Sequence, residues 1–198
     1  MSIFFLNIIV VHLIIFSHGA FFYNFFLKEK ISKKKLSEIS LNGIIILSFF
    51  SLIINFFLPL NKLIGTFFLT IGCVYFLIIL KFNQELIKKI LKNIFLTSFI
   101  SALILSYSNV YRPDAGLYHL PFISLLNESK IIIGSVNINF RFGVTSIIQY
   151  LSAIQNNHLL DIKSISIPVA SIFSFTIYFL FQKVLKTLRS EKTIQNTF

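Results

Sequence analysis

Apolar residues fall along this chain in long unbroken runs, not in the alternation that marks a half-buried strand or surface helix. Five runs reach or approach the about 20 residues that a helix needs to cross a bilayer: residues 3–27, 41–60, 63–80, 90–107 and 164–183. They are apolar on every face, whereas barrel strands alternate in and out. The first run has no Lys or Arg before it and is longer than the apolar part of a signal peptide, so it is read as a span. The pattern predicts an all-α fold: a polytopic membrane helical bundle that forms a single domain over residues 1–198. Pro59 ends the second span beside the short Asn61–Lys62 turn, which makes spans two and three a helical hairpin. Pro168 falls in the first turns of the fifth span, where a missing N–H is tolerated.

Composition agrees. Hydrophobic residues make up 56% and charged residues 13%, and 25 positions are Phe. Water cannot be the solvent for that much apolar surface, and lipid is the expected partner. The same numbers exclude a disordered chain. One cysteine, Cys73, excludes a disulfide scaffold and a cysteine-built metal site.

The net charge of +11 would point to nucleic acid in a soluble protein. Here the basic residues sit in clusters between the spans, so no nucleic acid is expected. Lys28, Lys30, Lys33, Lys34 and Lys35 follow the first span. Lys81, Lys88, Lys89 and Lys92 surround the third connection, and Lys183, Lys186, Arg189 and Lys192 follow the fifth span. These three places hold 13 of the 18 basic residues. Five helices put all three on one side, which the positive-inside rule makes the cytoplasm. The N-terminus and the long connection 108–163 then lie outside, and the C-terminus is cytoplasmic.

Polar residues inside spans need protein partners. The first span carries Asn7, His12 and His18. Asn7 and His18 are spaced to share a face, and interhelical hydrogen bonds are the expected use of these groups. Gly65, Thr66, Gly72 and Cys73 in the third span, and Ser98, Ser101, Ala102 and Leu105 in the fourth, read as close-packing seams.

The 108–163 connection is too long to be idle. Its stretches 117–126 and 144–154 are apolar but too short to span, and read as interfacial helices on the outer surface. Tyr107, Tyr111 and Tyr118 suit that boundary. Residues 130–142 are more extended, with a turn at Gly134-Ser135. Within Tyr111-Arg-Pro-Asp-Ala-Gly-Leu-Tyr-His-Leu-Pro121, Asp114 suits the N-cap of a following helix. Its place close to the membrane also suits a carboxylate that holds a divalent cation beside a phosphate, or takes a proton from a hydroxyl. His119 is a hydrogen-bond donor close by, and Arg112, Lys130 and Arg141 are candidate phosphate partners. No glycine-rich nucleotide loop, nucleophile elbow or zinc-spaced histidine pair competes.

Asp114-Ala-Gly-Leu-Tyr-His-Leu-Pro, Gly134, Asn139-Phe-Arg-Phe-Gly143 and Ser146, with the apolar hairpin before them, resemble a family of large bacterial membrane proteins that look like GT-C glycosyltransferases. The resemblance covers nearly the whole chain, but only the N-terminal part of such an enzyme. It implies a bacterial inner (plasma) membrane location, a polyprenyl-phosphate-linked sugar as substrate, and cell-surface glycan synthesis. Asp114 then matches the acidic residue of the first large outer loop, which is the base or sits by a metal. The acidic pair usual in that loop is absent, since Ala115 follows Asp114. His119 and Arg141 match pattern positions without an assigned role. Five spans against the family's eight or more imply a piece of a longer enzyme, inactive alone. A different class of function stays open: a non-catalytic membrane subunit of a surface-polysaccharide assembly or export system, with other membrane subunits as partners. A transporter rests only on His12 and His18 and lacks an internal repeat.

Overall fold

The computed structural model of the chain describes residues 2–29, 31, 36–82, 84–107, 115–143, 146–160 and 162–195. Among these, seven α-helices follow one another: α1 (Ser2–Phe25), α2 (Leu36–Asn55), α3 (Lys62–Phe82), α4 (Gln84–Tyr107), α5 (Leu120–Glu128), α6 (Ile147–Ile154) and α7 (Ile167–Gln195). No strand occurs among the described residues. Five helices are long and apolar enough to cross a membrane: Ile3–Phe25, Leu36–Asn55, Lys62–Lys81, Leu86–Tyr107 and Ser164–Leu188. The protein is a polytopic helical bundle whose solvent is a lipid bilayer. Large apolar side chains continue outward along the spans, among them Phe49 and Phe50 on α2, Phe67 and Leu77 on α3, Phe95 and Phe99 on α4, and Phe173 and Phe181 on α7. A chain folding in water would have turned these faces inward.

Helix α1 is the central post, in contact with α2, α3, α4 and α7. Ile8, Val11, His12, Ile14, Ser17 and Ala20, spread around its circumference, are all buried. Where α1 crosses α2, Gly19 and Gly43 bring the two backbones together. A Cβ on Gly19 would strike the Ile39 carbonyl, and one on Gly43 the Ile15 carbonyl. Gly72 of α3 does the same service for α1, since its Cβ would lie 2.9 Å from the His18 ring and from Ile14. The third-span seam is therefore a packing face. In the fourth span, Ser98 and Ser101 are fully buried and Ala102 packs against the core.

Helix α2 runs over 36–55 and not over 41–60. Its N-terminal polar residues are satisfied inside the protein, Ser40 by the Leu36 carbonyl and Ser37 by Gln182 of α7, so the helix starts earlier. It ends earlier because Pro59 disfavours helical geometry at Leu58, and the fully buried Asn55 donates to the Leu58, Leu126 and Ser129 carbonyls. Pro168 lies in the first turn of α7.

The connection between α4 and α7 caps the bundle at the α2–α3 turn. The Leu60 amide donates to the Leu126 carbonyl, and Asn127 donates to both the Leu60 and Ala153 carbonyls. Asn156 donates in turn to Asn127. A Cβ on Gly65 would strike the Ile154 carbonyl, so α6 sits directly on the start of α3. Residues 149–155 are buried throughout, which makes α6 a core element and not a helix resting on the surface. Its apolar residues face α2, α3, α5 and α7, and that protein contact encloses it more fully than a membrane surface would.

Candidate functional site

Arg112 and Asp114 lie outside the described residues. The described chain resumes after them in a single π-helical turn, Ala115–His119, that leads into α5. Pro121 explains the wide turn. It has no N–H for the Leu117 carbonyl, and its ring would crowd that carbonyl in an ordinary helix. His119 occupies the N-cap position of α5 and makes no side-chain capping bond.

The His119 ring is oriented by α6. Ser146 and Gln149 form a capping box at the start of that helix, with the Ser146 amide donating to Gln149 Oε1 at 3.1 Å. That bond turns the Gln149 amide nitrogen toward His119, where it lies 2.8 Å from Nδ1. An amide NH₂ can only donate, so Nδ1 accepts and the neutral ring carries its proton on Nε2. His119 is thus an exposed donor with a fixed tautomer.

Arg141 joins it through aromatic faces. Tyr118 packs against His119 with ring centroids 4.2 Å apart. The Arg141 guanidinium lies 5.2 Å from the Tyr118 ring centroid and 5.5 Å from that of Phe140. Its neighbour Phe142 is buried and packs on Phe122, 5.4 Å between centroids. The Asn139 side chain accepts from the Arg141 amide. One anchored residue and one turn bond therefore aim Arg141 back at Tyr118. The structure brings His119 and Arg141 into one cluster with Tyr118, Phe140 and Gln149.

Lys130 stands apart from this cluster. It lines a cavity of about 140 Å³ with Phe122, Leu126, Ser129, Ser135 and Tyr150. Ligand clefts run about 300–1,000 Å³, so this cavity alone holds no sugar-phosphate carrier. Phe122 and Tyr150 meet edge to face at 6.2 Å, and burial pushes the Tyr150 phenol up from its ordinary pKa.

Among the described residues no group of three His, Cys, Asp or Glu side chains converges as a metal site. Among the described residues the cluster offers a cation no free ligand: His119 Nδ1 accepts from Gln149, Nε2 carries the proton, and the described acid Glu128 accepts from Ser124. By itself it does not fit a divalent cation, and that expectation rests on Asp114 alone. Sequence reasoning missed Gln149 and Tyr118. Gln149 had a readable signal, the Ser-x-x-Gln spacing of a capping box. Tyr118 had none beyond its place at the membrane boundary.

Comparison with curated proteins and with solved structures gives no match. One family model covers residues 1–198, and the chain belongs to that family, described as a domain of unknown function, DUF8201.

Proposed function

We propose that the chain is the N-terminal part of a GT-C-like membrane glycosyltransferase, which takes a sugar from a polyprenyl-phosphate carrier for cell-surface glycan synthesis. The reaction runs at the outer face of a bacterial inner membrane. The observation that supports this reading is the meeting of His119 and Arg141 on one rigid cluster, at the bundle end opposite the lysine-rich connections. Those two residues belong to the pattern that carries the resemblance.

In this reading Arg141 and Arg112 pair with the carrier phosphate, Arg being suited to two-pronged oxygen binding. His119 Nε2–H donates to a phosphate or sugar oxygen. Asp114 takes the acceptor hydroxyl proton as that oxygen bonds to the sugar and the sugar–phosphate bond breaks, the phosphate leaving on the carrier. Were a divalent cation bound, Asp114 would be the residue to hold it and the ion would offset phosphate charge. Lys130 adds positive charge to the same face.

Asp114→Asn in the complete protein tests it. The exchange keeps shape and capping ability but removes the base. Sugar transfer from a polyprenyl-phosphate donor is expected to vanish while the protein still accumulates in the membrane. Unchanged transfer would remove Asp114 from the chemistry. The non-catalytic subunit of a surface-polysaccharide machine would then be the better reading.

A further inference from the structure

The strap from Lys130 to Phe142 exposes apolar side chains that the fold could have buried. Ile133 is 96% exposed and Phe140 73%, and Ile138 and Val136 are also exposed. Phe142 alone turns fully inward. Gly134 takes a left-handed conformation, φ 83°, and this reversal makes Ile133 the tip of the strap.

The depth of the strap follows from one bond. The Ile131 amide donates to the Asn55 carbonyl at 2.8 Å, and Asn55 is the last residue of the α2 span. The strap therefore departs at the plane where that span leaves the bilayer. The α2–α3 turn exposes Phe56, Phe57 and Leu58 at the same end. Between residues 129 and 143 there are two cations, Lys130 and Arg141, and no acid. Cations at the foot and apolar side chains at the tip are the pattern of a segment that enters a lipid interface.

We propose that residues 130–142 insert into the leaflet on their side of the membrane, with Ile133, Ile138 and Phe140 among the acyl chains and Lys130 and Arg141 at the phosphates of anionic lipids. The inference goes beyond sugar transfer and holds whether or not the chain catalyses it. It sets the His119–Arg141 cluster at headgroup depth, where a lipid-borne phosphate would arrive.

The full chain in lipid nanodiscs tests this. Cys73→Ala removes the single native thiol, and Ile133→Cys or Phe140→Cys then carries an environment-sensitive fluorophore. Lys88→Cys, at an exposed position on the lysine-rich end, is the water reference. At 133 and 140 the emission should shift to the blue and fall several-fold with nitroxide-labelled lipids, while iodide quenches only the reference. Iodide quenching at 133 and 140 equal to the reference would overturn the proposal. Shielding from both quenchers would also overturn it, and would assign the patch to a protein partner. Adding phosphatidylglycerol to phosphatidylcholine should deepen the lipid quenching, and Lys130→Gln with Arg141→Gln should abolish that gain. A gain that survives both exchanges would reject the headgroup pairing.

Discussion

The most consequential single side chain inside the bilayer is His12. Its ring is fully buried, with Nδ1 at 3.1 Å from Thr97 Oγ1 and Nε2 at 3.1 Å from Ser101 Oγ, both on α4. Ser101 passes the connection to Ser174 of α7 at 2.9 Å. Three helices thus share one hydrogen-bonded chain, and lipid offers none of these groups a substitute partner. A double-mutant cycle of His12→Ala with Ser101→Ala, read by unfolding in detergent, should give a coupling of about 0.6 kcal/mol, the average for such bonds between membrane helices, and no more than about 1.7 kcal/mol. A coupling of zero would make the contact incidental. Spacing along the first span predicts interhelical bonds for Asn7 and His18, which share a face. The histidine that makes them is His12, whose partners Thr97 and Ser101 lie 85 and 89 residues away and leave no local signal. His18, by contrast, bonds the Ile14 carbonyl of its own helix and abuts Gly72. Tyr150 offers a second test, outside the spans. Its pKa is raised by burial, so the neutral phenol contributes stability that is complete below the unfolded value of about 10. That contribution is lost as pH rises through the higher folded value. Tyr150→Phe should remove the most alkaline part of the tyrosinate absorbance titration and flatten the alkaline fall in the thermal midpoint.

Between elements, close backbone approach decides more than side-chain bulk. The α1–α2 crossing has no room for a Cβ at Gly19 or Gly43. In each case the obstacle is a carbonyl of the facing helix, which no rotamer change can move. Gly43→Val should therefore cost at least the about 1–3 kcal/mol of ordinary overpacking. Gly116→Ala meets nothing within 4 Å and should stay within about 0.5 kcal/mol. Thermal unfolding of the two variants in the same detergent checks both, and equal midpoints would reject the tight crossing. The small-residue seams of α3 and α4 could be read from sequence because their residues recur along one helix. The Gly19–Gly43 pair could not, since each glycine is alone in its own span. For a similar reason α6 looked interfacial. Its apolar face is plain in the sequence, but its burial depends on Gly65 of α3 and on amide groups such as Asn127, which carry little sequence signal. His119 and Arg141 were legible as candidates from their residue types. Their meeting depends on Tyr118 and Gln149, an aromatic and a capping residue whose roles arise only once α5 lies against α6.

For the molecule as a whole, the five spans were the most legible feature, because a lipid solvent leaves helices or closed barrels as the only spanning choices. Sidedness is the property from which an outward-facing sugar chemistry follows. The bundle has two unlike ends. One carries Lys81 at the end of α3, Lys88 and Lys89 near the start of α4, and Lys183 and Lys186 close to where the fifth span ends at Leu188. The other carries α5, α6 and the His119–Arg141 cluster. Lysine and arginine near span ends are retained on the cytoplasmic side during insertion. The capped end should then face outward. In a Cys73→Ala background, Leu159→Cys provides an exposed thiol in the connection between α6 and α7, and Lys88→Cys provides one at the opposite end. A membrane-impermeant maleimide added to intact cells should label the first at once and the second only after the membrane is permeabilised. The reverse order would put Asp114 and its neighbours in the cytosol. An acceptor waiting outside could not reach them there, and the sugar-transfer proposal would fall on sidedness alone, however well the cluster is formed.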